Sequence, residues 1–253
     1  MIVSKAFERS PQKKALLVGM NYIGTNYTRE GSFEAVDALH HIYKLKFHFD
    51  EVKVLKDATA GDILNSFIWL QENSVQGDVL VFHFCGKGTK NSIQSINLPI
   101  TLNEINDNLL ECIDYRTSLF CMFDCGELDL GFRFKMIDAS SGSTDLVEYI
   151  DNSYALKECT PWITKYEEIE DVKISETQGT IVSILLKVEG ISATRSFIYV
   201  LNNYYAHSLA FCDLINKLNS LVKANGYRNT CMLVTSKYVD PRVPFGTFIS
   251  API

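Results

Sequence analysis

The chain has 253 residues, enough for one large α/β domain, and its 47% hydrophobic and 21% charged residues supply the core of an ordinary globular protein. No apolar run reaches the ~18 residues that a membrane span needs, and the opening MIVSKAFERSPQKK lacks the apolar stretch of a secretory signal. A net charge of -6 with no basic stripe argues against nucleic acid or an anionic membrane as partner.

In chain order, KKALLVGMNY (Lys13 to Tyr22) is a short apolar run stopped by Gly and Asn, which reads as a buried strand. FEAVDALHHIYKLKF places Val36, Leu39, Ile42 and Tyr43 at helical spacing. EVKVLKD reads as a strand, and ATAGDILNSFIWLQE as a helix with Thr59 as its N-cap. DVLVFHFCG (Asp78 to Gly86) is a third strand, LNEINDNLLECI a helix and TSLFCMFDCG (Thr117 to Gly126) a fourth strand. Residues from about 133 to 178 break this rhythm with SSGS, scattered acids and Pro161-Trp162, and read as an insertion within one domain spanning 1–253. The alternation resumes with TIVSILLKV (strand), RSFIYVLNN (helix), AHSLAFCDLINKLNSLVKANG (helix, Gly226 as C-cap) and NTCMLVTSK (strand). Strands alternating with helices predict a mainly parallel sheet covered on both faces.

The seven cysteines include no CxxC pair, and Cys121, Cys212 and Cys231 lie inside apolar runs. Reduced, buried thiols of a cytoplasmic or nuclear protein fit this better than a disulfide framework. A zinc site built from Cys121, Cys125 and His83 has no ligand spacing to support it, so no metal is expected.

Two strand ends carry the functional signal: FHFCGKG (Phe82 to Gly88) and MFDCGELDLGF (Met122 to Phe132). They resemble the catalytic strand ends of the metacaspases, Y/F-S-G-H-G with its histidine and F-D-S-C-H-S-G with its cysteine. KKALLVGMNY is similar to the family's first strand in Ala15, Leu16, Gly19, Asn21 and Tyr22, and DPRVPF (Asp240 to Phe245) to its D-P-N-x-P-F ending. The shared order of these motifs covers roughly residues 13 to 248. The resemblance implies a caspase-like three-layer α/β/α sandwich with a mainly parallel central sheet.

It also implies degenerate chemistry. A cysteine peptidase needs a thiolate, an imidazole to move protons and an oxyanion hole. Lys87 stands at the family's histidine position and Gly126 at its cysteine position. LDLGF resembles the family segment after the nucleophile loop, so that loop is shortened to Cys125, Gly126 and Glu127. Cys125 is the alternative nucleophile, without an adjacent imidazole to activate it. His83, four residues before Lys87 and ~13 Å back along the strand, reads as a hydrogen-bonded core residue. The pocket for a basic substrate side chain leaves a remnant: Asp124 is kept, while Cys85, Ser32 and Ala35 stand where the family has Ser, Cys and Asp. Lys87 and Asp124 are expected close together, with the lysine occupying the place of the substrate's base. The segment TKNSIQSINLPITLNEIND has no acid before Glu104, so the family's calcium dependence is expected to be lost.

These readings predict a pseudoenzyme without cofactors that binds or regulates a protein partner, an active metacaspase being one candidate. The alternative is a divergent cysteine endopeptidase using Cys125.

Overall fold

The computed structural model describes residues 9–115, 117–126, 128–132, 134–136, 146–150, 153–156, 178–186, 192–205, 208–224, 231–237 and 239–249. Its elements run β1 (Lys13–Gly19), α1 (Ser32–His41), β2 (Glu51–Lys56), α2 (Ala60–Gln71), β3 (Val79–Cys85), β4 (Gly88–Thr89), β5 (Ser92–Gln94), β6 (Pro99–Thr101) and α3 (Leu102–Ile105). They continue with β7 (Ser118–Asp124), β8 (Phe134–Met136), β9 (Leu146–Ile150), β10 (Ser153–Leu156), β11 (Thr180–Leu186), α4 (Ser192–Asn203), α5 (Phe211–Ala224), β12 (Cys231–Thr235) and α6 (Phe245–Phe248). Both α1 and α3 run on into a π-helical turn, at Ile42–Lys46 and Asn106–Leu110.

The main sheet has the order β10-β9-β8-β12-β11-β7-β3-β1-β2. β2, β1, β3, β7 and β11 are mutually parallel, as the strand–helix alternation predicts, and β12 and its neighbours run antiparallel. The insertion expected at about 133–178 contributes strands: β8 pairs with β12, and β9 and β10 extend that edge. Only β8 reaches β12, some hundred residues later in the chain, and that long-range pairing is what local sequence rhythm does not reveal.

Period-2 alternation sorts the parallel strands between two cores. Ala15, Leu17, Val79, Val81, Phe120 and Met122 face a layer of α1, α4 and α5, represented by Val36, Phe197 and Leu214. Leu16, Val18, Leu80, Phe82, Phe84 and Phe123 face α2 and the 102–110 helix, represented by Phe67 and Leu109. β3 and β7 are buried at every position, as expected of central parallel strands covered on both faces.

The cap predicted at Thr59 is present as a full capping box: its hydroxyl accepts from Asp62 N, and the Asp62 carboxylate accepts from Thr59 N. Thr101 and Glu104 repeat the device at α3. The C-cap expected at Gly226 lies outside the described residues.

The motif DPRVPF acquires a packing role. Phe245 N–H donates to Leu209 O (2.8 Å), and its ring lies edge-on to Phe120 (5.0 Å), Phe197 (5.7 Å), Phe47 (5.9 Å) and Phe211 (5.9 Å). One side chain thus ties β7, α4, α5 and the turn after α1 together. Phe245→Ala is expected to lower stability by about 3–5 kcal/mol. Urea denaturation followed by circular dichroism measures this, and a loss under about 1 kcal/mol would show that the cluster repacks without it.

Candidate functional site at the ends of β3 and β7

β3 and β7 are in register, with Cys85 opposite Asp124, so both side chains leave the sheet on the same face and at the same carboxyl-terminal edge. The loop between β1 and α1 closes over this edge and is held by two polar residues. Asp57 accepts the N–H groups of Asn21, Tyr22 and Ile23 at 2.7, 2.7 and 2.9 Å. Asn21 in turn accepts Ser32 N–H on its side-chain oxygen (3.0 Å) and Arg29 N–H on its carbonyl (2.8 Å). The start of α1 and the base of the Arg29 side chain are thereby fixed against β3.

Asp124 is fully buried. Its Oδ2 accepts Thr194 N–H from the first turn of α4 (2.9 Å), where backbone donors have no intrahelical partner, and it also lies 3.9 Å from Cys85 Sγ. Among the described residues its Oδ1 has no hydrogen-bond partner. Burial pushes the carboxyl up to about 6, against the lowering effects of Thr194 and the nearby Arg29 guanidinium. Cys85 Sγ donates to Ser32 Oγ at 3.6 Å, and burial together with the Asp124 charge pushes its thiol up to about 12. His83 lies two residues back on the same face of β3. Its Nε2 is 2.9 Å from Thr194 Oγ1, its ring packs on Phe197, and burial lowers its pKa to about 3, so the imidazole is neutral. Two residues along a strand span about 7 Å, and no hydrogen bond joins His83 to Cys85 among the described residues.

The structure brings Ser32, Cys85 and Asp124 into one buried polar cluster, and Ala35 is buried one turn along α1. Thr194 and Arg29, which the sequence reading passed over, complete it. The signal for Thr194 is the SATRSF segment that follows a strand and opens a helix. Arg29 has no motif signal, because its placement depends on the Asn21–Asp57 loop.

Cys125 lies elsewhere. It belongs to the opposite core face, with Phe123 and Leu128, and is 1% exposed. A Cβ added to Gly88 would stand 3.0 Å from Cys125 Sγ and 2.9 Å from its carbonyl oxygen, so only glycine allows the 88–94 hairpin to seal the thiol this closely. Burial, then the Asp124 charge, pushes that thiol far above the range of a reactive cysteine. Gly126, at the family's cysteine position, has φ 102°, a conformation that a cysteine adopts only with strain.

The expected pairing of Lys87 with Asp124 is corrected by the structure. The Lys87 ammonium lies over the Tyr27 ring, 4.6 Å from its centroid, and no ion pair joins it to Asp124 among the described residues. Asp124 points into the sheet's α4 side, whereas Lys87 leaves the strand end toward the exposed loop. The cation near Asp124 is Arg29.

The fold has counterparts in known proteins. A protein from Geobacter sulfurreducens superposes with TM-score 0.63 at 13% identity, over 93% of this chain and 98% of that one. Pro-sf-caspase-1 superposes with TM-score 0.54 at 10% identity, over 90% and 87%. These likenesses define a caspase-like fold. Residues 13–124 match the family model "Metacaspase, peptidase C14 domain". Over 93% of its length the chain is 24% identical to Metacaspase-5 of Trypanosoma cruzi and to Metacaspase-5 of Trypanosoma brucei brucei, spanning 60% and 53% of those relatives. Metacaspase-6 of Arabidopsis thaliana is 33% identical over 40% of this chain. The chain thus has a caspase-like fold, and its first half is similar to the metacaspase peptidase C14 domain. No helix among the described residues is long and apolar enough to cross a membrane.

The buried cluster has a signature in the pH dependence of stability. Asp124, with its pKa raised to about 6, stabilises the fold in its protonated form, and that contribution is lost as pH rises from its unfolded value near 4 through about 6. His83, lowered to about 3, acts in the opposite sense: the native state excludes its proton, and stability falls as pH drops below about 6.5. Asp124→Asn removes only the first effect. Its stability relative to wild type is expected to rise by up to about 3 kcal/mol between about pH 4 and about pH 7. Chemical denaturation across that range reads the difference, and a flat profile would mean that Asp124 is ionised at no cost.

Proposed function

We propose that this chain is a catalytically degenerate metacaspase relative that acts by binding or regulating a protein partner rather than by cleaving peptides. The observation that carries this reading is the separation of the candidate groups. Cys125 is sealed under Gly88 on one face of the sheet, while the nearest imidazole, His83, is buried on the other. Lys87, at the strand end where the family has its histidine, is engaged by Tyr27. Cys85 shares a face with His83, but its thiol is held protonated beside Asp124. General acid–base catalysis is worth about 10² to 10⁴-fold and an oxyanion hole about 10² to 10³-fold, and the geometry favours neither.

On this reading wild-type protein turns over no Arg or Lys substrate above background, and a basic thiol-reactive peptide probe leaves Cys125 and Cys85 unlabelled. Wild type, Cys125→Ala and Cys85→Ala are to be compared in both assays. Turnover in wild type that either substitution abolishes would make the chain a divergent cysteine endopeptidase.

The reading includes the absence of calcium regulation and of other cofactors. The segment that follows β3 folds into the β4-β5-β6 sheet, and its first carboxylate, Glu104, is engaged as the reciprocal partner of the Thr101 cap. A hard cation takes about six to eight oxygens, and Thr, Asn, Ser and Gln side chains without a carboxylate are a poor set. Calcium at millimolar concentration is expected to leave the melting temperature unchanged. A rise that a chelator reverses would contradict this. The partner, with an active metacaspase as one candidate, and a cytoplasmic or nuclear location belong to the same proposal.

A further inference from the structure

Away from the strand ends, the carboxyl-terminal ends of α1 and α4 enclose a cavity of about 520 Å³. One wall is Lys46 and Phe47, at the close of the π-helical turn that extends α1, and the other is the segment 201–205, where α4 ends. Its size falls within the range of about 300–1,000 Å³ that small-molecule sites occupy. Phe47 and Leu201 are buried and give it an apolar floor, while Tyr204 and Tyr205 are 42% and 78% exposed. The backbone here departs from regular geometry. A π-helical turn is rare and recurs at functional sites, and His48, two residues beyond Lys46, has φ 55°, a left-handed conformation uncommon outside glycine.

The charge balance identifies the ligand. Lys46 Nζ donates to Leu201 O (3.1 Å) and to Asn202 Oδ1 (2.8 Å), and Lys217 Nζ stands 3.8 Å from the centroid of the Tyr204 ring. All three partners are neutral. An ammonium has three N–H donors, so Lys46 keeps one more. Among the described residues neither lysine has an ion pair, although Asp213 lies one turn before Lys217 on α5. No acid lines the cavity among these residues, in a chain whose net charge is -6. Two ammonium groups therefore approach one aromatic wall with their charge uncompensated.

We propose that this cavity binds a small organic anion, a carboxylate carried on a flat apolar body. The carboxylate accepts from Lys46, with Lys217 adding to the local positive field, and the body lies against Tyr204 over Phe47 and Leu201. Charge-assisted N–H···O bonds fix the acid end, and apolar area removed from water supplies the rest of the affinity. The site is separate from the Asp124 cluster. α1 begins at Ser32 and α4 presents Thr194 in its first turn, whereas the cavity lies at the opposite ends of both helices. The proposal is independent of whether the chain cleaves peptides.

The test titrates phenylacetate into wild type, Lys46→Gln and Lys217→Gln and follows backbone amide NMR shifts, with benzylammonium and benzyl alcohol as the cationic and neutral analogues. Expected are saturable shifts centred on residues 46–47 and 201–205, with a Kd on the order of millimolar for so small a ligand. Lys46→Gln, which keeps an amide donor for the Leu201 carbonyl, is expected to weaken binding about tenfold, and Lys217→Gln to weaken it less. Neither analogue should saturate the same shifts. The proposal is overturned by wild type that shows no saturation, by shifts centred elsewhere, by equal affinity in wild type and Lys46→Gln, or by either analogue binding as well as phenylacetate. If Lys46→Gln does not fold, Lys217→Gln carries the comparison, and affinity equal to wild type overturns the proposal. An acidic peptide that saturates these shifts where phenylacetate does not would make the cavity a docking surface for a protein and also overturn it.

Discussion

The pairing of β3 with β7 is the constraint on which the rest of the structure depends. Both strands are buried at every position and on both faces, so they have no solvent to satisfy the polar groups at their carboxyl-terminal ends. Whatever stands there must find partners from the surrounding loops and helices. Asp124 takes a free amide at the start of α4, Cys85 takes Ser32 at the start of α1, and the Gly86 carbonyl takes Arg29. Three separate elements are drawn to one edge of the sheet because that edge presents unsatisfied charge and backbone. The helix α4 is held there twice, by its amide at Asp124 and by the Thr194 hydroxyl at His83.

Side-chain parity then decides what chemistry the edge can host. In a strand, neighbouring residues point to opposite faces. Asp124 and Cys125 are adjacent in sequence, yet one belongs to the polar cluster under α4 and the other to the apolar face under the 88–94 hairpin. A thiol and an imidazole can cooperate only within hydrogen-bond reach. The parity of β3 and β7 places His83 with Asp124 and away from Cys125. With a left-handed backbone at Gly126, the turn that would present a nucleophile to the His83 side is occupied by a tight glycine bend instead.

The charges around the site follow the same logic of local satisfaction. Lys87 and Arg29 both approach the strand ends, but from loops with different anchors. Arg29 is rooted in a bonded network running through Asn21 and Asp57 and reaches inward. Lys87 is carried on the first residues after β3, where its backbone is held by the Tyr22 hydroxyl and by Gln94, and it projects toward Tyr27. The ammonium, strongly hydrated, stays at the rim. The guanidinium, more weakly hydrated and able to donate in several directions, is the group that tolerates partial burial beside a carboxylate.

Periodicity and short motifs determined a large share of this protein. The alternation of apolar runs and amphipathic segments specified the parallel strands from Lys13, Glu51, Asp78 and Thr117, their helical layers and the Thr59 cap, because these features are local or follow from burying one face of each element. The resemblance to the metacaspase motifs brought Ser32, Ala35, Cys85 and Asp124 to attention as one group. Tertiary structure alone decided the rest. β8 to β10 join the sheet through a partner far along the chain. Arg29 enters the site from a loop with no motif signal, through the contacts of Asn21 and Asp57. The cation whose charge lowers the Asp124 carboxyl is Arg29, while Lys87 lies over Tyr27, because the direction of a side chain at a strand end is set by face parity and by the loops that close over it. Those are long-range contacts, and linear spacing carries no record of them.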